Sequence, residues 1–206
     1  MPERDLTPTR ITLLELGDER RMVREGYELL DEKRMLLASE ILAGLRRYRG
    51  LREDWLGQLA SARAALAAAV RRHGYGSLGV HPADRGAFRA VHLEPRSLLG
   101  LTLVGARLEL AEDAGPEFRA AESSPEAHRC AEAFRELVHI AAAMAGLAAS
   151  LRIMARDYVR TERRARALEN VILPEIDSDI RFVDTQLEAI DQEESIRVRE
   201  ARGQQP

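Results

Sequence analysis

From Leu13 onward, apolar residues recur at alternating spacings of three and four. The row runs Leu13, Leu16, Val23, Tyr27, Leu30, Leu37, Ile41, Tyr48, Leu51, Trp55, Ala62, Ala65 and Ala69, and Arg20, Arg34, Gly44 and Gln58 fill the remaining positions of the same repeat. No proline falls between Leu13 and Arg72. A repeat of about 3.5 residues held over this length predicts one long α-helix with a narrow apolar seam, as in a coiled coil. At about 1.5 Å of rise per residue it predicts a rod of roughly 90 Å, too long for a compact domain of this chain.

A second long helix is predicted from Pro125. Ser124 suits the N-cap, Pro125 the first turn and Glu126 the positive end of the helix dipole, while Ser123 and Glu126 have capping-box spacing. Its seam reads Phe134, Leu137, Ala141, Met144, Ala148, Leu151, Ala155 and Tyr158. It continues with changed phase through Ala165, Leu168, Ile172, Ile176, Val183, Leu187 and Ile190. Pro174 predicts a kink, because proline removes a backbone donor and crowds the preceding turn.

Between the helices, Gly74, Gly76, Gly79, Pro82, Gly86 and Pro95 break the pattern. Phe88 to Leu93 alternates loosely and Ser97 to Leu110 is rich in Leu and Val. These runs predict a small β-hairpin with Glu94-Pro95-Arg96-Ser97 near its turn; a short helix over Leu98 to Leu110 is the alternative. Neither helical seam is stable in water alone, and each is the obvious partner of the other. The predicted fold is therefore mostly α: a long antiparallel two-helix coiled-coil hairpin, with a small β-hairpin insert at the end opposite the termini. Residues 1–73 form the N-terminal helix, 74–124 the compact insert, 125–200 the C-terminal helix and 201–206 a frayed tail. This arrangement puts Leu13 near Ile190 and Ala69 near Phe134.

Composition supports a thin seam. Hydrophobic residues make up 45% of the chain but aromatic residues only 4%, and a thick globular core normally draws on large rings. Net charge is −3, which gives no case for a nucleic-acid partner. A lone cysteine, Cys130, cannot form an internal disulfide and fits a cytoplasmic setting. The longest small-apolar run, Ile140 to Leu151, is shorter than the ~20 residues of a membrane span, so no direct membrane insertion is expected.

Charge is distributed unevenly. Arg46, Arg47, Arg49 and Arg52 cluster on the first helix, and Arg152, Arg156 and Arg160 open an arginine-rich stretch that runs to Arg166 on the second. In the register above these groups lie side by side, predicting a basic collar that touches a partner. Met22, Leu29 and Leu36 recur one heptad apart beside the main seam and widen the apolar stripe beyond what one partner helix needs, which marks them as contact candidates too.

Motifs of catalysis are weak by comparison. Gly74-Tyr75-Gly76-Ser77-Leu78-Gly79 has dinucleotide-loop spacing but follows a helix where a strand is required, so it is read as a helix stop and loop. Glu136 and His139 have the spacing of one di-iron ligand pair, yet the chain offers no second pair. His73, His81, His92 and His128 show no ligand spacing, and no phosphate-binding loop with its lysine occurs. No catalytic, cofactor-binding or metal-binding residue is therefore expected, and no cofactor.

Two separated motifs resemble a known family. Thr7-Pro8-Thr9-Arg10, Leu13-Leu14 and Tyr27-Glu28-Leu29-Leu30-Asp31-Glu32-Lys33-Arg34 look like the amino end of the D subunit of V/A-type ATPases. Arg163-Arg164-Ala165-Arg166-Ala167-Leu168-Glu169-Asn170-Val171-Ile172-Leu173-Pro174 looks like its carboxyl-half signature. The resemblance implies a non-catalytic central rotor shaft. Its paired termini would insert into the ring of catalytic (A) and nucleotide-binding (B) subunits. Its other end would dock on the C/d socket above the membrane rotor ring, and the small F protein of the stalk would bind its side. It also implies a cytoplasmic location, peripheral to the membrane, and a shaft that couples ion flow to ATP synthesis or hydrolysis. The competing reading is a coiled-coil stalk of another ATPase, such as a secretion or flagellar export apparatus, which would lack the insert and the Ala-Leu-Glu-Asn-Val-Ile-Leu-Pro run.

Overall fold

The computed structural model describes residues 7–78, 88–110 and 124–203. The chain is mostly helical, a long helical hairpin carrying a two-stranded antiparallel β-hairpin. Helix α1 runs Arg10–Leu78, strands β1 and β2 run Phe88–Leu98 and Leu101–Leu110, and helix α2 runs Pro125–Ala167. A π-helical turn, Leu168–Ile172, joins α2 to helix α3, Leu173–Gly203. Contacts divide the chain into two compact units, one of residues 37–157 and one of the residues up to 36 with those from 158.

Both long helices start at side-chain caps. The Thr12 amide donates to Thr9 Oγ1 at 3.1 Å, and the Leu13 amide to the Thr9 carbonyl at 3.1 Å. Thr9 therefore closes α1 within the Thr-Pro-Thr-Arg motif. Ser124 does the same for α2, its Oγ accepting from the Ala127 amide at 3.2 Å and its carbonyl from His128 at 3.1 Å. Ser123, the other expected capping residue, lies outside the described residues. Gly74 leaves the helical conformation at φ 73° and ψ 161°, a geometry that glycine adopts at little steric cost.

In the unit that holds both helix ends, residues up to 36 with those from 158, the register is set by Arg10 beside Asp191, Arg20 beside Asp177 and Arg34 beside Glu162. In the other, Gly44 faces Leu147 and Leu151, Gln58 bonds the Ala133 carbonyl and Arg72 meets Glu126. Ala69 thus lies nearer the start of α2 than Phe134, the neighbour expected from even spacing. The predicted α1 seam positions are buried or half-buried, except Arg20.

The hairpin turn is displaced from its predicted place. Leu99 and Gly100 form it, at φ 50° and 79°, the paired positive dihedrals of a tight two-residue connection. Pro95 instead lies inside β1, opposite Val104. The Val104 amide donates to Ser150 Oγ and the Val104 carbonyl accepts from it, both at 2.8 Å. Those backbone groups therefore point away from β1, and the proline's missing N–H disrupts no ladder bond.

Pro174 likewise sits without ending the helix. The Leu173 amide donates to the Leu168 carbonyl, one residue further back than in an α-helix. The wider turn relieves the crowding that a proline imposes on the turn before it.

The Ile140–Leu151 stretch of α2 serves two neighbours. A window of the continuous helical stretch Pro125–Arg202 is long and apolar enough to cross a membrane by composition, a property the length of the uninterrupted apolar run did not convey. Here Leu147 and Leu151 face Gly44, while Gly146 and Ser150 face β2. These contacts bury 22% of the window.

Candidate interaction surfaces of the helical hairpin

The two sequence motifs meet across the hairpin in the unit that holds both termini. Arg34 Nη1 donates to Glu162 Oε2 at 2.7 Å, and its Nη2 bonds Asp31 on the same helix. Arg166 grips the other Glu162 oxygen through Nε and Nη2, each at 2.7 Å. Glu162 is thus held by two guanidinium groups, and its side chain is only 18% exposed. The Arg34 hydrogen bond, the Arg34 charge and Arg166 hold its carboxyl below the usual carboxylate range, against partial desolvation. The Glu162 hydrogen bond in turn raises the Arg34 pKa. Beside them, the Glu169 carboxylate pushes the Tyr27 hydroxyl up, with partial burial and Asp31 adding to it. This cluster locks register, since charge-assisted bonds of this kind are directional.

Arg20, Arg34, Gly44 and Gln58, the non-apolar seam positions, each have a specific partner on the opposite helix. What interrupts the apolar pattern is therefore what fixes the pairing.

In the other unit the hairpin is seated on α2 by shape. A Cβ at Gly146 would lie 2.3 Å from the Ala106 nitrogen and 2.9 Å from the Gly105 carbonyl carbon. Only glycine permits this approach of strand to helix. One turn along, the Ser150 hydroxyl satisfies the edge of β2 as described. Leu103 and Leu108 of β2 are buried, whereas β1 from Ala90 to Ser97 is exposed, with Val91 and Leu93 uncovered. Sequence inspection missed this dock. Its signal was the pair of small residues four apart inside an Ala- and Leu-rich helix.

The residues singled out as contact candidates lie on the surface. Arg46, Arg47, Arg49, Arg52, Arg152, Arg156 and Arg160 are all exposed, and none forms an ion pair among the described residues. They do not face each other as an even ring. Gly44 lies level with Leu147 and Leu151, so Arg46 to Arg52 run toward the turns before Leu147, and Arg152 and Arg156 run the other way. The expected collar is not level across the two helices, because here they pair two to three turns out of the simple register. Met22, Leu29 and Leu36 are 67%, 67% and 45% exposed. They belong to a surface stripe and not to the seam.

At the start of α2, His73 Nε2 and Ser124 Oγ are 2.5 Å apart, and Arg72 Nε lies 3.3 Å from Glu126 Oε2. These bonds tie the end of α1 to the start of α2. Among the described residues no three His, Cys, Asp or Glu side chains gather to hold a metal ion. His81 and Gly79 lie outside the described residues.

The fold and its surfaces define a helical-hairpin protein whose polar chemistry, among the described residues, serves helix pairing. The chain belongs to the ATP synthase D-subunit family, whose model matches residues 12–203. It is 28% identical over 202 residues to the D subunit of the A-type ATP synthase of Methanopyrus kandleri, covering 96% of this chain and 86% of that protein. It is 24% identical to the D subunit of the V-type ATP synthase of Thermotoga neapolitana, covering 94% and 95%. It is also 29% identical to the D subunit of the A-type ATP synthase of Methanosphaera stadtmanae, covering 91% and 89%.

Proposed function

We propose that this protein is the central rotor shaft of a V/A-type rotary ATPase or ATP synthase, a non-catalytic subunit that couples ion translocation to ATP synthesis or hydrolysis. The observation that supports this best is the family match over nearly the whole chain, on helices whose seam stays nearly unbroken along α1. A shaft must be stiff and asymmetric and needs no reactive groups. Its partners are then the catalytic (A) and nucleotide-binding (B) members of the ring, the small F protein of the stalk and the C/d socket. Its place is the cytoplasmic side of the membrane, as a peripheral part of the complex. Co-purification from the native host tests the assignment. Recovery with ATPase ring proteins is expected, and recovery with a secretion or flagellar export apparatus instead would overturn it.

Within that reading the exposed arginines and the Met22, Leu29 and Leu36 stripe are bearing surfaces. A turning shaft favours many weak, screened contacts over a few tight ones. Single charge changes should do little, since an exposed pair contributes under about 1 kcal/mol. Reversing Arg47 and Arg49 together to glutamate should lower ATP-driven ion pumping by reconstituted complexes while the helicity of the isolated protein is unchanged. Normal pumping by the double variant would return these arginines to an ordinary solvated face.

A further inference from the structure

We infer that Pro95 closes the free edge of the β-hairpin to strand addition, and that the strand it excludes is β1 of a second copy. Among the described residues the sheet has two strands, so each carries one outer edge. The outer edge of β2 is occupied at Val104, whose N–H and C=O both bond Ser150 of α2. Val104 is opposite Pro95, so position 95 faces outward too, from β1. Outward and ladder positions alternate along an antiparallel pair. Val91, Leu93 and Ser97 therefore present their N–H and C=O on the same free edge, while Glu94 and Arg96 bond Gly105 and Leu103.

That edge has what strand pairing needs except at one position. β1 is exposed from Ala90 to Ser97, with Val91 and Leu93 at 56% and 66%. An open apolar edge of this kind is a template for another strand. The strand is also complementary to itself. A second copy laid antiparallel about Leu93 sets Leu93 against Leu93. It also places His92 between Glu109 of its own chain and the second copy's Glu94. In that register Val91 is opposite position 95, and its carbonyl needs an N–H there. Proline has none, and its ring occupies the space through which the acceptor must approach. A shift toward the start of β1 avoids the proline but meets the irregularity between Phe88 and Ala90. The ladder is then confined to Val91–Leu93, at the short limit for a strand. One edge of the sheet is thus closed by α2 and the other by proline. This inference stands whether or not the protein is a rotor shaft.

The test uses the full chain with Pro95→Thr, which restores the N–H without adding apolar surface, and light scattering over a concentration series. The variant should be heavier than the parent at equal concentration. Hydrogen exchange at its Val91 and Leu93 amides should slow as concentration rises, with no such change in the parent. Exchange at Gly105, inside the ladder, should be no faster than in the parent, since position 95 bonds nothing within the hairpin. Adding Leu93→Lys, a charge on the pairing edge, should return the mass to the parent's. A variant no heavier than the parent, or heavier without protection at Val91 and Leu93, would overturn the proposal. So would the same protection in the parent, faster exchange at Gly105, or association that persists in the double variant.

Discussion

The β-hairpin dock on α2 and the Arg34–Glu162 cluster join chain segments in opposite ways. At the dock, strand and helix meet backbone to side chain, with no charge involved. Gly146 leaves room and Ser150 supplies polar contacts to the Val104 backbone. At the cluster, long side chains reach across a partly solvated seam, and several ions share the load. A steric fit of the first kind tolerates almost no change in shape. A charge network of the second kind has flexible members and redundant partners, so each member matters less.

The sharpest way to break the dock is Gly146→Ala. In an exposed helix interior that change normally stabilises, by about 1 kcal/mol. Here the new methyl meets a backbone nitrogen at 2.3 Å, which no rotamer change relieves. Overpacking of this kind costs ~1–3 kcal/mol, and the hairpin should shift or detach. Hydrogen exchange at the Val104 and Gly105 amides should speed up, and the melting midpoint should fall. The same substitution at Gly44 is the internal comparison. There the new methyl lies 2.8 Å from Leu151 Cδ2, the end of a flexible side chain, so Leu151 can rotate aside. Gly44→Ala should be near neutral. If both variants melt alike, the steric account of the dock fails.

Ser150→Ala sharpens the comparison at smaller cost. It leaves the outward N–H and C=O of Val104 without their partner. A buried backbone group so stranded costs ~1–3 kcal/mol, moderated here because these atoms are only part-buried. Exchange at Val104 should speed up while Gly105, in the ladder pair with Glu94, stays protected. Equal acceleration at both amides would mean that the hairpin leaves as a unit and that Ser150 has no local role.

How much of this was legible in the sequence follows from the same physics. The α1 seam could be read because a 3.5-residue repeat depends only on residue type along one chain. Ser124 was read as a cap because capping is local, whereas the Thr9 cap went unread although it rests on the same local signal. Arg34, Gly44 and Gln58 looked like defects in the seam, because their meaning depends on Glu162, Leu151 and Ala133, which only the register identifies. Pro95 drew the turn to itself because proline is a turn residue by propensity, whereas Leu99 is a poor candidate for positive φ. The proline at 174 was visible, but that the helix widens into a π turn at Leu168–Ile172 and carries on past it was not. Gly146 was hidden for a plainer reason. A glycine in an alanine-rich helix shows nothing of what lies against it.

The smallest expected effect is at the cluster, and it carries a pH signature. Glu162 has its folded pKa below the ordinary value of 4.5. A carboxylate of this kind favours the folded state fully above its unfolded pKa, and the contribution disappears as pH falls through the folded pKa. Glu162→Gln removes the charge and keeps the shape. The melting midpoints of parent and variant should therefore differ by a constant small amount above the ordinary carboxylate range and converge as the pH falls through the lowered folded pKa. The difference stays small because Arg34 keeps Asp31 as a second partner and because partly solvated ion pairs are screened. Raising the salt concentration should narrow the gap at neutral pH as well. A gap that shows no narrowing anywhere on the acid side of the ordinary carboxylate range would show that the variant loses packing rather than charge, and that the cluster, like the dock, is held by shape.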